Sequence, residues 1–190
     1  MGEGLVDGAT LDDQLRRIIM MDKNRRNVLQ AASQLTLPDC WVAAGFVRNA
    51  VWDFLHGYHE PTKLNDIDVI YYDSFDTAKQ SDIAAEVALV KRVLSSRVSV
   101  KNQSRMHMRN GDLPYRNSAD AMSHWPETCT AVGVRVQNKF EICAPFGLDD
   151  LFDLIIRPTS ADAKIVKLVH DRATNRQWMD RWPMLRHVDP

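Results

Sequence analysis

The chain has little of several features that mark whole classes of protein. It has three cysteines in 190 residues, Cys40, Cys129 and Cys143, an odd and widely spaced set. Such a set fits neither a disulfide framework nor paired metal-binding cysteines. Cys40 and Cys143 fall in apolar stretches and read as buried thiols, so a reducing, cytoplasmic compartment is expected. No apolar run approaches the roughly 20 residues that span a bilayer, so no membrane partner is expected. Residues 1–13 lack the basic and apolar regions of a signal peptide. Net charge is nearly absent too, because 24 Lys and Arg against 25 Asp and Glu leave −1. That balance excludes a histone-like cationic binder and an acidic disordered tail, and it speaks against a long nucleic-acid partner.

What is present is the composition of a globular domain, 45% hydrophobic and 26% charged. A chain of this length buries roughly 68–72% of its unfolded surface. The spacing predicts one domain over residues 1–190, with a helical N-terminal extension over about 10–36 and a C-terminal helix over about 160–181. Thr10 is placed to cap the first helix, with Asp12 and Asp13 in its first turn. Residues 41–44 form a short apolar run with strand character, stopped by Gly45. Val47, Ala50, Val51, Phe54 and Leu55 then recur at helical spacing up to Gly57. A β-rich run over 67–72 carries Asp66 and Asp68 at its start. A helix over about 81–94 and a strand over 98–101 follow. Residues 103–125 read as irregular. Residues 131–143 alternate as a hairpin turning at Asn138-Lys139. This order predicts an α+β fold with a small mixed sheet flanked by helices. His56 and His59 fall in a loop and are expected to be exposed.

The chemistry lies in two short stretches. Asp66 and Asp68 are two apart on a strand, so both project from one face, with Ile67 and Val69 turned the other way. Paired carboxylates repel unless a proton or cation stands between them. They suit Mg²⁺, which takes one or two carboxylates together with substrate phosphates. Upstream, the Gly45 turn opens a helix whose first amides and dipole can receive a phosphate, and Arg48 sits in its first turn. A cation site beside an anion site is the equipment for phosphoryl or nucleotidyl transfer. Each half alone has an ordinary structural reading, a solvated turn or a tight loop. The ordered conjunction is what carries weight.

These stretches also resemble a family. Ala44-Gly45-Phe46-Val47-Arg48-Asn49, Phe54-Leu55-His56-Gly57 and Asn65-Asp66-Ile67-Asp68-Val69 are similar to the head of the DNA polymerase β-type nucleotidyltransferases. The pattern lies nearest the tRNA nucleotidyltransferase and poly(A) polymerase head, Gly-Gly-x-Val-Arg-Asp, Leu-Leu-x-Gly and Asp-x-Asp. Ala44 stands at the first glycine and Asn49 at the acid after the arginine. Lys101 to His107, Trp125 to Thr128 and Ala144 to Phe152 resemble a bacterial family of small nucleotidyltransferase-like proteins.

The resemblance implies a polymerase β-like fold and a nucleoside triphosphate bound with Mg²⁺ at Asp66 and Asp68. It implies transfer of the nucleoside monophosphate to a hydroxyl or phosphate. Two metals about 3.5–4 Å apart would serve the attacking and leaving oxygens. A third acid on a neighbouring strand is implied as well. Glu141 is the candidate, because Phe140-Glu141-Ile142 has the form of a strand acid facing a site, although an ordinary exposed strand acid has the same form. The acceptor is expected to be a small molecule or a protein side chain. A non-catalytic nucleotide-binding module and an RNA 3′-end nucleotidyltransferase are the competing readings.

The near-zero charge conceals a segregation. Residues 60–86 carry net −5 and residues 91–116 net +6. Either two solvated surfaces neutralise each other, or Lys101, Arg105 and His107 form a phosphate- or acceptor-binding wall beside the metal site. Trp125-Pro126 and Trp182-Pro183 read as loop anchors before base-stacking platforms.

Overall fold

Thr10 opens the first helix as its sequence predicts. Its hydroxyl oxygen accepts from the Asp13 amide at 3.2 Å, which satisfies one of the helix's unpaired first-turn donors. The computed structural model describes residues 8–93 and 97–190, so Leu94 lies outside the described residues. Two helices, α1 (Leu11–Met21) and α2 (Lys23–Ser33), lead into β1 (Trp41–Ala43) and α3 (Gly45–Leu55). Then come β2 (Ile67–Tyr71), α4 (Lys79–Val93) and β3 (Val98–Asn102). The stretch expected to be irregular contains two short helices, α5 (Met106–Asn110) and α6 (Ser118–Met122). The hairpin β4 (Gly133–Val136) and β5 (Phe140–Cys143) follows as expected.

The five strands form one mixed sheet in the order β3-β2-β1-β4-β5. Only β2 and β3 run parallel, joined through α4; the other neighbours are antiparallel. Period-two alternation divides the sheet's faces. Ile67, Val69 and Tyr71 of β2 join Val98 and Val100 of β3 in a core with Leu15, Leu29, Val51 and Leu89. Val69, Val100 and Leu89 are wholly buried, and each such side chain contributes about 1.5–3 kcal/mol. The alternate residues Asp68 and Ile70 stand on the opposite face. There a smaller apolar cluster of Trp41, Ala43, Ile70, Met122 and Ala131 covers only part of the sheet. The uncovered part is where the two carboxylates emerge.

The C-terminal third adds α7 (Asp149–Phe152), β6 (Ile155–Ile156), α8 (Ala163–Asn175), α9 (Trp178–Arg181) and β7 (Arg186–His187). The helix expected over 160–181 is two helices, broken at Gln177 by a left-handed backbone (φ 53°, ψ 43°). The break turns Trp178 and Trp182 inward against Trp52, at ring separations of 5.7 and 5.1 Å. Trp182 is an anchor, as expected: its indole N–H donates to Asp53 at 2.8 Å. His56 departs from expectation. Its Nδ1 meets the Trp52 carbonyl at 2.7 Å and its Nε2 accepts the Met184 amide at 3.1 Å, so the ring ties α3 to the C-terminal segment.

Candidate active site

The site is built where β1 ends and β2 begins. Asp68 lies in register between Ala43 of β1 and Ser99 of β3, and Asp66 precedes β2 by one residue. The small neighbours leave the face open above the carboxylates. Burial, followed by the Asp66 carboxylate, pushes Asp68 up to about 6. Both aspartates line a cavity of about 710 Å³. Neither carboxylate is held by a hydrogen bond or ion pair to another described side chain.

Ala44 turns the chain from β1 into α3. Its amide donates to Val132 at 3.1 Å, and its backbone has φ 57° and ψ −126°. This is a glycine-favouring conformation that a residue with a Cβ adopts under strain. No side chain caps α3, and Ala44 and Gly45 at its start line the cavity. A Cβ placed on Gly45 would meet Arg48 at 3.6 Å and Asn49 at 3.8 Å, ordinary contact distances. The protein interior therefore does not require glycine here.

Arg48 is buried on the same helix. Its guanidinium lies 4.9 Å from the Trp52 ring and 4.3 Å from the Trp178 ring. Nη1 donates to Thr130 Oγ1 at 3.2 Å and Nη2 to Asn49 Oδ1 at 2.9 Å. Burial lowers its pKa to about 10, which leaves it a cation at neutral pH. Lys101 also reaches the cavity, from β3, where its Nζ stands 3.4 Å from Glu86. Two more arginines come from the C-terminal end of α8. Arg172 and Arg176 line the cavity, and both are close enough to Asp68 to oppose the rise in its pKa.

A nucleotidyltransferase family profile matches residues 30–187 of the chain. The chain belongs to that family. This nucleotidyltransferase is 30% identical to a protein whose NMR structure reveals a CCA-adding enzyme head domain. The TM-score is 0.80, and the match covers 93% of this chain and 95% of that one. A CCA-adding enzyme in complex with CTP shares the fold at 14% identity and a TM-score of 0.55. That match covers 92% of this nucleotidyltransferase and 43% of the enzyme, so the chain spans less than half of it. No curated protein matches the chain. The family and fold make the protein a transferase with a polymerase β-like head.

Within this nucleotidyltransferase, Asp66, Asp68, Gly45, Arg48 and Lys101 are brought to one cavity. Glu141 is not. It stands on β5 opposite Arg135 of β4, three strands from β2 and so about 14 Å away at usual strand spacing. Its carboxylate accepts from Arg135 Nε at 2.5 Å, and it lines a separate hollow with Trp41 and Lys139. The reason is topological: β1 and β4 intervene between β5 and β2. Among the described residues no cluster of three metal-binding side chains forms.

Arg105 is a second correction. Its guanidinium pairs with buried Asp82, which also accepts from the Tyr71 hydroxyl at 2.8 Å. It locks α4 to the end of β3 and stands outside the cavity lining. His107 packs edge-on to Tyr115 at 6.0 Å, also away from it, whereas Arg109 lines the cavity in its place. Trp125 and Pro126 combine both readings, since Trp125 packs on the small apolar cluster while the pair lines the cavity. Arg172 and Arg176 were not singled out by sequence reasoning. Arg172 continues the face of α8 that carries Leu168 and Ile165, and Arg176 follows four residues later at the helix's C-cap.

Proposed function

We propose that this nucleotidyltransferase moves a nucleoside monophosphate from an Mg²⁺-bound nucleoside triphosphate to a small-molecule or protein acceptor. The observation that carries the reading is the placing of Asp66 and Asp68 in one cavity with the uncapped start of α3. The donor chemistry suits the metal. The two carboxylates line one cavity, repel each other and have no hydrogen-bond or ion-pair partner among the described residues, and their oxygens match the preference of a hard divalent cation. When bound, Mg²⁺ supplies positive charge that relieves this repulsion and polarises phosphate oxygens.

The chain's own residues do the rest. The first amides of α3, with Gly45 bare of a Cβ, receive phosphate oxygens. Arg48 adds a fixed positive charge from α3 itself. Lys101 faces the same space from β3. An acceptor oxygen bonds to the α-phosphorus as the bond to pyrophosphate breaks. The electron pair leaves on pyrophosphate, and the acceptor proton passes to water. A space of about 710 Å³ suits a mononucleotide with a compact acceptor.

The test is calorimetric titration with MgATP and MgCTP, joined to a pyrophosphate-release assay over an acceptor panel that includes total RNA. Metal-dependent binding that Asp66→Ala and Asp68→Ala abolish, with pyrophosphate release, is the expected result. No metal-dependent binding would overturn the reading. The lack of a third carboxylate beside the pair, among the described residues, favours a second reading, a nucleotide-binding module without turnover. Binding without pyrophosphate release on every acceptor would select it. Labelled nucleotide appearing in RNA would move the acceptor to an RNA 3′ end.

A further inference from the structure

Arg172 in the last turn of α8 and Arg176, the residue that caps its C-terminus, line the cavity with Ile165 and Leu168 of the same helix. A guanidinium carries five N–H donors in a planar fork that matches phosphate oxygens. Arg48, Arg172 and Arg176 differ in how many donors the protein has already engaged. Both terminal nitrogens of Arg48 are committed, to Thr130 and Asn49. Arg48 therefore contributes charge more than hydrogen bonds. Arg172 is engaged at Nε alone, which donates to Glu127 Oε1 at 2.5 Å. Its two terminal nitrogens, and the whole guanidinium of Arg176, make no hydrogen bond among the described residues.

Glu127 explains how Arg172 is aimed. The glutamate is wholly buried, and its backbone is fixed on both sides. Its carbonyl accepts from Thr130 and Ala131 at 3.2 Å, and it bridges to Pro158. A carboxylate in that position holds the inner edge of the guanidinium and leaves the outer edge to the cavity. Arg172 keeps 28% of its side-chain surface exposed, whereas Glu127 keeps none. Buried charges persist only where they are paired, so the pairing fixes Arg172's direction in the absence of ligand.

We propose that Arg172 and Arg176 form a clamp for the terminal phosphates of a bound nucleoside triphosphate, with Glu127 as the positioning residue that holds Arg172 in it. The clamp rests on the nucleotide-transfer reading above and extends it to the leaving group. Asp66 and Asp68 mark the cation side of the same cavity, which the start of α3 also lines. A triphosphate tail carries the charge to engage both the cation and the two guanidiniums within this one cavity. As the bond between the α-phosphorus and the bridging oxygen breaks, its electron pair adds negative charge to the departing pyrophosphate. Guanidiniums held on that group stabilise the charge where it develops.

The experiment is calorimetry on the full chain with sodium tripolyphosphate, without metal, alongside AMP. Tripolyphosphate has the tail without base or sugar, and AMP the nucleoside with a single phosphate. The wild type should bind tripolyphosphate, and Arg172→Ala and Arg176→Ala should each weaken it about tenfold with AMP affinity little changed. Glu127→Ala should weaken it several-fold, and Glu127→Gln should restore it, since the amide oxygen still accepts from Nε. A purely structural Glu127 would show no such rescue of affinity. Arg176 is exposed and unpaired among the described residues, so Arg176→Ala keeps the test decisive if an Arg172 or Glu127 variant fails to fold. Absence of tripolyphosphate binding by the wild type, or wild-type affinity in both arginine variants, would overturn the clamp. Pyrophosphate release is scored separately. Loss of tripolyphosphate binding in the variants without any turnover leaves the clamp and removes the transfer reading. Turnover with unaffected variants does the reverse.

Discussion

Arg48 donates to Asn49 at 2.9 Å, so the residue that departs from the family's acid after the arginine is the residue that holds the arginine. The amide accepts as a carboxylate would, but it brings no negative charge to the cavity that it lines. Both side chains are buried. Asn49→Ala therefore leaves a buried guanidinium nitrogen without its acceptor and should lower stability by about 1–3 kcal/mol. Asn49→Asp should keep the fold, because the new carboxylate meets Arg48, and should weaken tripolyphosphate binding by partly neutralising the site. Chemical denaturation with calorimetry reads both. Equal stability of Asn49→Ala and the wild type would contradict the contact's importance.

Ala44 carries the other departure, and its backbone shows its consequence. At φ 57° and ψ −126° the alanine Cβ is strained where glycine is not. Such strain costs about 1–3 kcal/mol, and glycine returns part of that through a more flexible unfolded chain. Ala44→Gly should raise the melting temperature, by about 2–4 °C for each kcal/mol recovered. A lower melting temperature would show that the Cβ makes packing contacts that outweigh the strain.

Gly45 should separate folding from binding. It is the first residue of α3, and a Cβ there meets the protein only at ordinary contact distances. Alanine is the better helix former by about 1 kcal/mol in helix interiors, so Gly45→Ala should melt at or above the wild-type temperature. The same methyl group stands where phosphate oxygens approach the first amides, so MgATP affinity should fall about tenfold or more. Unchanged affinity would remove the start of α3 from the phosphate site.

The parts of this site that were legible in the sequence are local. A strand ending at a glycine turn, a helix with Arg48 in its first turn, and carboxylates two apart on the next strand each fit within a few residues. Their periodicity states which side chains share a face. Glu141 was misplaced because facing a site depends on strand order. Phe140-Glu141-Ile142 does alternate, and Glu141 does stand on the sheet face that carries Asp68, but β1 and β4 lie between them. Arg172 and Arg176 are more than 100 residues from the aspartates, and only the tertiary placing of α8 at the cavity brings them near. The break at Gln177 carries no glycine or proline to announce it; it is imposed by the packing of Trp178 and Trp182 on Trp52.

The repulsion between Asp66 and Asp68 gives a pH-dependent prediction whose sign can be worked out. Burial and Asp66 raise Asp68 from an ordinary value of 3.8 to about 6 in the folded chain. Between about pH 4 and 6 the folded state therefore holds a proton that the unfolded chain has released. Stability from this group falls as pH rises through that window, and the full penalty is present above pH 6. Asp68→Asn removes the charge and keeps the shape. In metal-free buffer at pH 7.5 the variant should melt higher than the wild type, and the gap should close as pH falls towards 4. Adding Mg²⁺ should reverse the order, because a ligand that binds only the folded wild type stabilises it by mass action. Thermal melts at three pH values, with and without Mg²⁺, read all of this. A variant that melts with the wild type at pH 7.5 without metal would show that the carboxylate is better compensated than its burial and its neighbour imply. A wild type indifferent to Mg²⁺ would remove the metal from the pair.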